Sequence, residues 1–468
     1  MKARILVLLA IAAAANAGWC GIDRGSGMKE IEAAFVSAAG QGWQRSADSG
    51  TLGWAESQVL DLCVTMYQAT GETKWLDRLV EHADSVLSSI SVGPLGLMGW
   101  RTPHYSIAFA RVSASARNRS KASLIAEPAD IWDVDQVAKV TGHRYRVEFP
   151  EAGGVVAQDM KTQALFGMGE ETLGVARPGK KINVIPGVTL KVEGEPAAPG
   201  DLFIVQTTAP KALDYVVHDG MVLTPIAQFI ALARQDAALA RYRPAADRFL
   251  RIMEKHLVHK WDGHWKDVGD GRGAYLAPND PAQRFGGCTL PHNQYAALGR
   301  AFIALWQATR NPWYRERAQA MALNFKHYLE LHDDHYVWHY WDHAGPWDET
   351  GKRMHHIEDT SHGSIEVDLA IDAYEARFVF DLQDMKRFAR TLISMWNGSR
   401  EDPAFSGRVG DGKEPYTFKA PWVRLSRFDD QLRGLLETAI SKQNASSLGP
   451  ALDAAQWLAA QKDTGNGN

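Results

Sequence analysis

The stretch His355-His356-Ile357-Glu358-Asp359-Thr360-Ser361-His362-Gly363-Ser364-Ile365-Glu366-Val367-Asp368 gathers imidazoles, carboxylates and hydroxyls ahead of a largely apolar run that reaches Phe380. Imidazole titrates near neutrality and carboxyl groups give or take protons, so the mixture suits acid-base chemistry. Asp359, Thr360 and Ser361 are of the types that cap helix N-termini, and a helix starting near Ser361 carries His362 and Glu366 on one face. Upstream, His332, His335, His339, His343, His355 and His356 accompany the aromatic run Tyr336-Val337-Trp338-His339-Tyr340-Trp341. Taken singly, each residue reads as packing: caps, core rings, a buried acid with a partner. Taken together they read as a site, because buried acids are rare without a partner or a task.

The elements that must position this stretch are paired helices. Gly53 to Thr70 and Thr73 to Ile90 read as two helices joined at Gly71-Glu72. The same grammar returns at Thr224 to Ala240 with Tyr242 to Leu257, Leu290 to Thr309 with Pro312 to Leu331, Ser361 to Phe380 with Asp384 to Trp396, and Ser426 to Lys442 with Gly449 to Gln461. A local repeat supports the pairing: Gln68-Ala69-Thr70 followed by Trp75, Asp77, Arg78 and Ala83 matches Gln307-Ala308-Thr309 followed by Tyr314, Glu316, Arg317 and Ala322. Between pairs, the segments His259 to Thr289, His332 to Thr360 and Asn397 to Leu425 read as long loops rich in Trp, Tyr, His, Gly and Arg, which predicts a cleft on one rim. Alternating runs at Tyr145 to Phe149, Val188 to Val192 and Leu202 to Val205 mark a β-rich insertion.

The chain ends and composition bound the reading. Lys2 and Arg4, the apolar run from Ile5 to Ala14 and the cleavage-like Ala15-Asn16-Ala17 predict a signal peptide over 1–17 and a periplasmic or secreted protein. Trp19 before Cys20 fits lipoprotein processing poorly. The domain layout expected is a first helical part over 18–98, a β-rich insertion over 99–222 and the rest of the helical array over 223–468. No later stretch is expected to span a bilayer. Three cysteines far apart in sequence do not make a disulfide framework, and a net charge of -4 argues against nucleic acid as partner. The 16 tryptophans offer flat faces that suit sugar rings, or large core residues.

Paired helices in series, aromatic loops, and the phrases Leu290-Pro291-His292-Asn293-Gln294-Tyr295-Ala296-Ala297-Leu298-Gly299-Arg300-Ala301 and Glu358-Asp359-Thr360-Ser361-His362-Gly363 resemble the (α/α) toroid, or six-hairpin, carbohydrate-active enzymes: glycoside hydrolases, polysaccharide lyases and uronyl C5-epimerases. No single family's motif set is matched. The resemblance implies a mainly α fold, an (α/α)5–6 toroid of hairpins with the β-rich insertion, acting on a polysaccharide or oligosaccharide without a cofactor. Within the insertion, Gly142-His143-Arg144-Tyr145-Arg146-Val147, Gly187-Val188 through Ala197, and Gly200 through Val205 resemble a small β module of flagellar hook-associated proteins, which implies a compact sandwich and says nothing about chemistry.

Three chemistries compete. β-Elimination from a uronate needs a group that neutralises the carboxylate and a base for the C5 proton, and Asn293, His292, Tyr340, His362 and Glu366 supply the expected catalytic set. There the helix N-terminus is expected to lower the pKa of His362 and favour the neutral base. Trp100, Arg101, His104, Tyr105, Tyr275, Arg284, Trp338, His339, Glu358, Asp359 and Arg427 are the expected substrate-binding residues. Hydrolysis would instead need two carboxyl groups facing the scissile bond, drawn from Glu358, Asp359, Glu366, Asp342, Asp429 and Asp430. Metal catalysis through His335, His339 and His343 is disfavoured, because on an extended strand they spread beyond the reach of one ion, so no metal ligands are expected. A glycan-binding protein without turnover is the reading from outside enzymology.

Overall fold

The computed structural model describes residues 24–93, 96–130, 133–150, 154–167, 177–283, 285–342, 356–416 and 420–465. The expected signal peptide, Arg284, His343 and His355 lie outside these residues. The chain divides into two compact units, one of Met1–Trp100, Tyr215–Ala277 and Cys288–Asn468, the other of Arg101–Asp214 and Pro278–Gly287.

The first unit is built on helices α1 (Arg24–Ala39), α2 (Ser57–Thr70), α3 (Lys74–Ser88), α4 (Val216–Gln235), α5 (Arg243–Ile252), α6 (His292–Thr309), α7 (Pro312–His327), α8 (Thr360–Glu375), α9 (Leu382–Ser394), α10 (Ala420–Val423), α11 (Asp430–Ile440) and α12 (Leu448–Gly465). Their ends follow local chemistry. Gly71, at φ 75°, closes α2 in the left-handed conformation that glycine adopts without steric cost. Asn311 accepts from the Trp313 N–H ahead of Pro312 and starts α7 only three residues after α6 ends, so the two must fold back on each other. Asp381 and Asp384 form a capping box on α9.

Packing runs α2 on α4, α4 on α6, α6 on α8, α8 on α10, and α12 on both α10 and α2, with α3, α5, α7 and α9 each beside the helix that precedes it. Gly220 permits the closest of these approaches: a methyl group there would sit 2.4 Å from the Leu298 nitrogen. Helix α4 begins at Val216, eight residues ahead of the expected Thr224, and carries Pro225 inside it. It is long and apolar enough to cross a membrane, contrary to expectation, but 83% of its apolar window is buried within the unit, as in a core helix.

The connections hold strands. Antiparallel two-stranded sheets form from β1 (Ser91–Val92) with β2 (Met98–Gly99), β11 (Trp265–Gly269) with β12 (Arg272–Tyr275), β13 (Glu330–His332) with β14 (His335–Val337), and β15 (Phe405–Arg408) with β16 (Asp411–Tyr416).

The second unit contains two antiparallel sheets. The order in one is β3 (Phe109–Ala114), β10 (Leu202–Thr208), β5 (Arg144–Glu148), β6 (Val156–Asp159) and β7 (Leu165–Phe166); in the other it is β4 (Ser123–Pro128), β9 (Val188–Glu193) and β8 (Lys181–Ile185). Alternation decides the faces: Tyr145 and Val147 of β5, Phe203 and Val205 of β10, and Leu190 and Val192 of β9 enter one core, while Arg144 and Arg146 stay out. Residues 278–287 join this unit through the Ile107 N–H on the Ala282 carbonyl at 2.7 Å and the Ser106 and Gln283 bridge.

The expectation of a mainly α protein, an (α/α)5–6 toroid, is therefore corrected: strands in six sheets among the described residues make the class mixed α/β. In sequence the helical segments stand out by their period, and the connections between them read as loops. Strands of two to six residues show too few alternations to register as a period.

Candidate functional site

Helix α8 starts where its cap dictates. The Asp359 carboxylate accepts from the Ser361 N–H at 2.8 Å and the His362 N–H at 2.9 Å, and its second oxygen meets His362 Nδ1 at 2.6 Å. The imidazole is thus held at the ring nitrogen that faces Asp359, and both side chains remain partly exposed, at 38% and 36%. Burial pulls the His362 pKa down, but the hydrogen bond and charge of Asp359, with the charge of Glu358, outweigh it and the net shift is upward. The expected lowering by the helix N-terminus is corrected: a carboxylate in direct contact acts more strongly than the partial charge of a helix end.

Beneath this pair lie two buried acids. Glu358 and Glu366 are both fully buried, and their carboxyl groups hydrogen-bond each other. The Trp338 indole N–H donates to Glu366 and the Asp359 N–H to Glu358 at 2.8 Å. Burial, then the neighbouring Glu358 charge, hold Glu366 well above the usual carboxylate range; burial above all pushes Glu358 up to about 7. Two like charges this close cannot both form at low cost, so the pair retains one proton at neutral pH.

Strand pairing delivers these groups. Glu358 N–H donates to Trp338 O at 3.0 Å, Tyr340 N–H to His356 O at 2.9 Å and Val409 N–H to Glu358 O at 2.9 Å, so residues 356–359 run between the aromatic segment and Val409. The Tyr340 ring lies 5.2 Å from His362 and stacks on His356 at 5.1 Å. Burial and the Glu358 charge raise its phenol far above the ordinary range, and Gln294 hydrogen-bonds it. The His292 N–H donates to Tyr340 O at 3.2 Å, which ties the first turn of α6 to the same segment.

The expected site residues thus separate into groups. Trp338, Tyr340, Glu358, Asp359, His362 and Glu366 come together. His339 pairs by a β-bridge with Ile357, and its Nδ1 is 3.4 Å from Glu330. His292 is a core residue, hydrogen-bonded to Tyr295 and flanked by Phe325 and Tyr328. Asn293 is buried beside it, its Oδ1 without a hydrogen-bond partner among the described residues. Trp100 is buried and bonded to Val86 O and Ser89 Oγ at the end of α3, and Tyr275 is fully buried 5.1 Å from Trp265. Arg427 pairs with Glu375 at the far end of α8. Arg101, His104 and Tyr105 belong to the second unit, where Arg101 meets Asp214 at 2.9 Å.

Sequence reading gave no role to Trp422, Gln294 or Asp372, and read Asp368 only as a core acid with a hydrogen-bond partner. Trp422 stacks on Trp338 at 6.1 Å and donates to Thr360 O at 3.1 Å, closing the floor of the α8 start. Gln294 sits in a quoted phrase yet carried no role. Asp368 and Asp372 bind Arg300 and Arg424, Asp372 at 3.0 and 2.7 Å, and their four-residue spacing on an apolar helix was the available signal. Glu358, Asp359 and His362 each bring a ligand atom within 4.8 Å of the others, a cation-like spacing, and Asp359 and His362 already hydrogen-bond each other there.

No family model matches the chain, and no curated protein does. Solved structures similar to it include FlgL of Xanthomonas campestris in two crystal forms, 15% and 14% identical over 49% and 64% of this chain and 88% and 93% of that one, with a TM-score of 0.17 in each. The flagellar junction protein FlgL of Legionella pneumophila is 12% identical, over 65% of this chain and 91% of that one, with a TM-score of 0.18. Likeness at these scores carries no argument about fold or function.

Proposed function

We propose that this chain is an exported enzyme of acidic, uronate-containing polysaccharides or oligosaccharides that works by β-elimination. The observation that carries the reading is the Asp359 and His362 pair, a partly exposed imidazole held at 2.6 Å by a carboxylate at a helix start. Asp359 orients the ring and strengthens its other nitrogen as a base, the logic by which a carboxylate serves a catalytic histidine. The imidazole takes the C5 proton, the electron pair forms the C4–C5 double bond, and the C4–O bond breaks. The Tyr340 phenol, kept protonated by its burial, gives the leaving oxygen its proton.

Hydrolysis by Glu358 and Glu366 fits less well. Those carboxyl groups bond each other, whereas glycosidases hold theirs about 5–9.5 Å apart with the sugar between. The test is incubation with a panel of uronate polymers while the absorbance of the unsaturated uronate product is followed. The expected rate rises with pH through the raised pKa of His362, because only the unprotonated ring is a base. Saturated reducing ends, or polymer bound but unchanged, would overturn the reading in favour of hydrolysis or of glycan binding.

A further inference from the structure

The helical unit contains two adjoining cavities, of about 310 and 490 Å3, and Asp61 and Arg300 line both. Small-molecule sites span roughly 300–1,000 Å3. Trp54, Gln58 and Gln443 line the smaller cavity; Gln228, Gln307 and Gln456 line the larger. The cations of these walls are already engaged: Arg300 by Asp368 and Asp372, Arg424 by the same acids and Glu375, Arg427 by Glu375, while Lys462 donates to the Gln68 carbonyl at 2.8 Å. Amides, hydroxyls and an indole, with the carboxylates of Asp61, Asp236 and Asp453, are what is left to meet a ligand.

Three polar groups on these walls lack a partner. Asp61 makes no hydrogen bond or ion pair with any described residue, and its partly buried side chain lines both cavities. Burial raises its pKa, with Arg300 and Arg424 pulling the other way. Trp54 Nε1 and Gln443 Oε1 are likewise buried with no hydrogen-bond partner among the described residues. Buried polar groups are nearly always satisfied, so three orphans around one space point to an occupant that supplies the missing partners. An anion would find no unengaged cation there, and a cation would face Arg300 and Arg424. A neutral molecule with many hydroxyls matches a carboxyl, an amide oxygen and an indole N–H at once.

We propose that this cavity binds an uncharged saccharide unit whose hydroxyls satisfy Asp61, Trp54 Nε1 and Gln443 Oε1. The inference goes beyond the elimination reading and stands even in a protein that only binds glycans.

Isothermal titration of the full chain with cellobiose, maltose, chitobiose and a uronate disaccharide tests it, beside Asp61→Ala and Trp54→Phe. At least one neutral disaccharide binds the wild type, and each substitution weakens it tenfold or more. Because Asp61 has no partner in the free protein, Asp61→Ala leaves the melting temperature unchanged or raised, which a structural acid would not do. Absence of binding by every neutral disaccharide, or undiminished binding by Asp61→Ala, overturns the proposal. A wild type that cleaves uronate polymers but binds no neutral sugar refutes this site alone; one that binds the sugar and never alters a polymer refutes the elimination reading alone.

Discussion

At the start of α8, Glu358 and Glu366 lie buried against each other with no Arg or Lys paired to either among the described residues, His362 Nδ1 standing 4.0 Å from Glu358, and both are pushed toward the protonated form. Farther along the same helix, Asp368 and Asp372 are as deeply buried, yet Arg300 and Arg424 grip them, and Asp372 titrates below its ordinary range because the Arg424 and Arg300 charges outweigh the burial that opposes them. One helix therefore carries acids of two kinds. The second kind is spent on structure, its charge fixed. The first can still exchange a proton near neutral pH, which is what chemistry at the adjoining His362 would draw on.

The largest expected effect comes from breaking the charged half. Arg424→Ala leaves Asp368 and Asp372 with an uncompensated buried charge, and removal of one partner from such a network costs about 3–5 kcal/mol. Urea unfolding of the variant should show that loss, while replacing Arg300 and Arg424 together with Asp368 and Asp372 by apolar residues of similar size should cost less. A loss under 1 kcal/mol for Arg424→Ala would mean that the network is not what holds α6, α8 and the segment after α10 together.

Next comes the titrating half. His362→Ala should lower turnover of a uronate polymer at least about a hundredfold, the low end for lost acid-base catalysis, with the melting temperature little changed because the ring is partly exposed. Asp359→Asn keeps the cap but removes the charge that raises the imidazole pKa, so the rising limb of the pH profile should move to lower pH. A limb that stays in place would assign it to another group.

The helices were readable because their apolar period and terminators are local: Gly71 and Pro312 mark turns and Asp359 marks the α8 start. The start of α4 was not, because Gly220 and Pro225 look like breakers and only close packing on α6 makes a small residue useful there. The meeting of Trp338, Glu358 and Glu366 depends on residues 356–359 pairing with the aromatic segment, a contact that no spacing encodes. His292, singled out as catalytic, serves the core, and nothing in a His-Asn dipeptide separates the two fates. Asp61 drew no notice because an acid inside an apolar helix reads the same whether it is paired or orphaned.

A third expectation concerns Glu358 and stability. Its pKa rises from the ordinary 4.5 to about 7 on folding, so between those values the folded state holds more protons and stability falls as pH rises, the contribution being gone above about 7. Thermal melts should decline across that window in the wild type and less steeply in Glu358→Gln, whose amide cannot ionise. Parallel slopes for the two proteins would show that the buried pair does not titrate there.

The smallest effect lies in the second unit, where a buried acid is treated in the opposite way. Asp159 is opposed by burial, but His143 at 2.8 Å and the N–H groups of Lys161 and Thr162 at 2.8 and 3.2 Å outweigh it and take its pKa from 3.8 to about 2. A depressed pKa stabilises the fold above the unfolded value and is lost as pH falls through the folded one, so this contribution is present above about 3.8 and gone below about 2. His143→Ala removes one donor and leaves the two amides, so Asp159 should titrate nearer its ordinary value. Hydrogen exchange of the β5 and β6 amides should then accelerate at a higher pH on acidification, with no change at neutral pH beyond that of losing one hydrogen bond. Unchanged acid behaviour would mean that the two backbone donors suffice and that His143 contributes only packing.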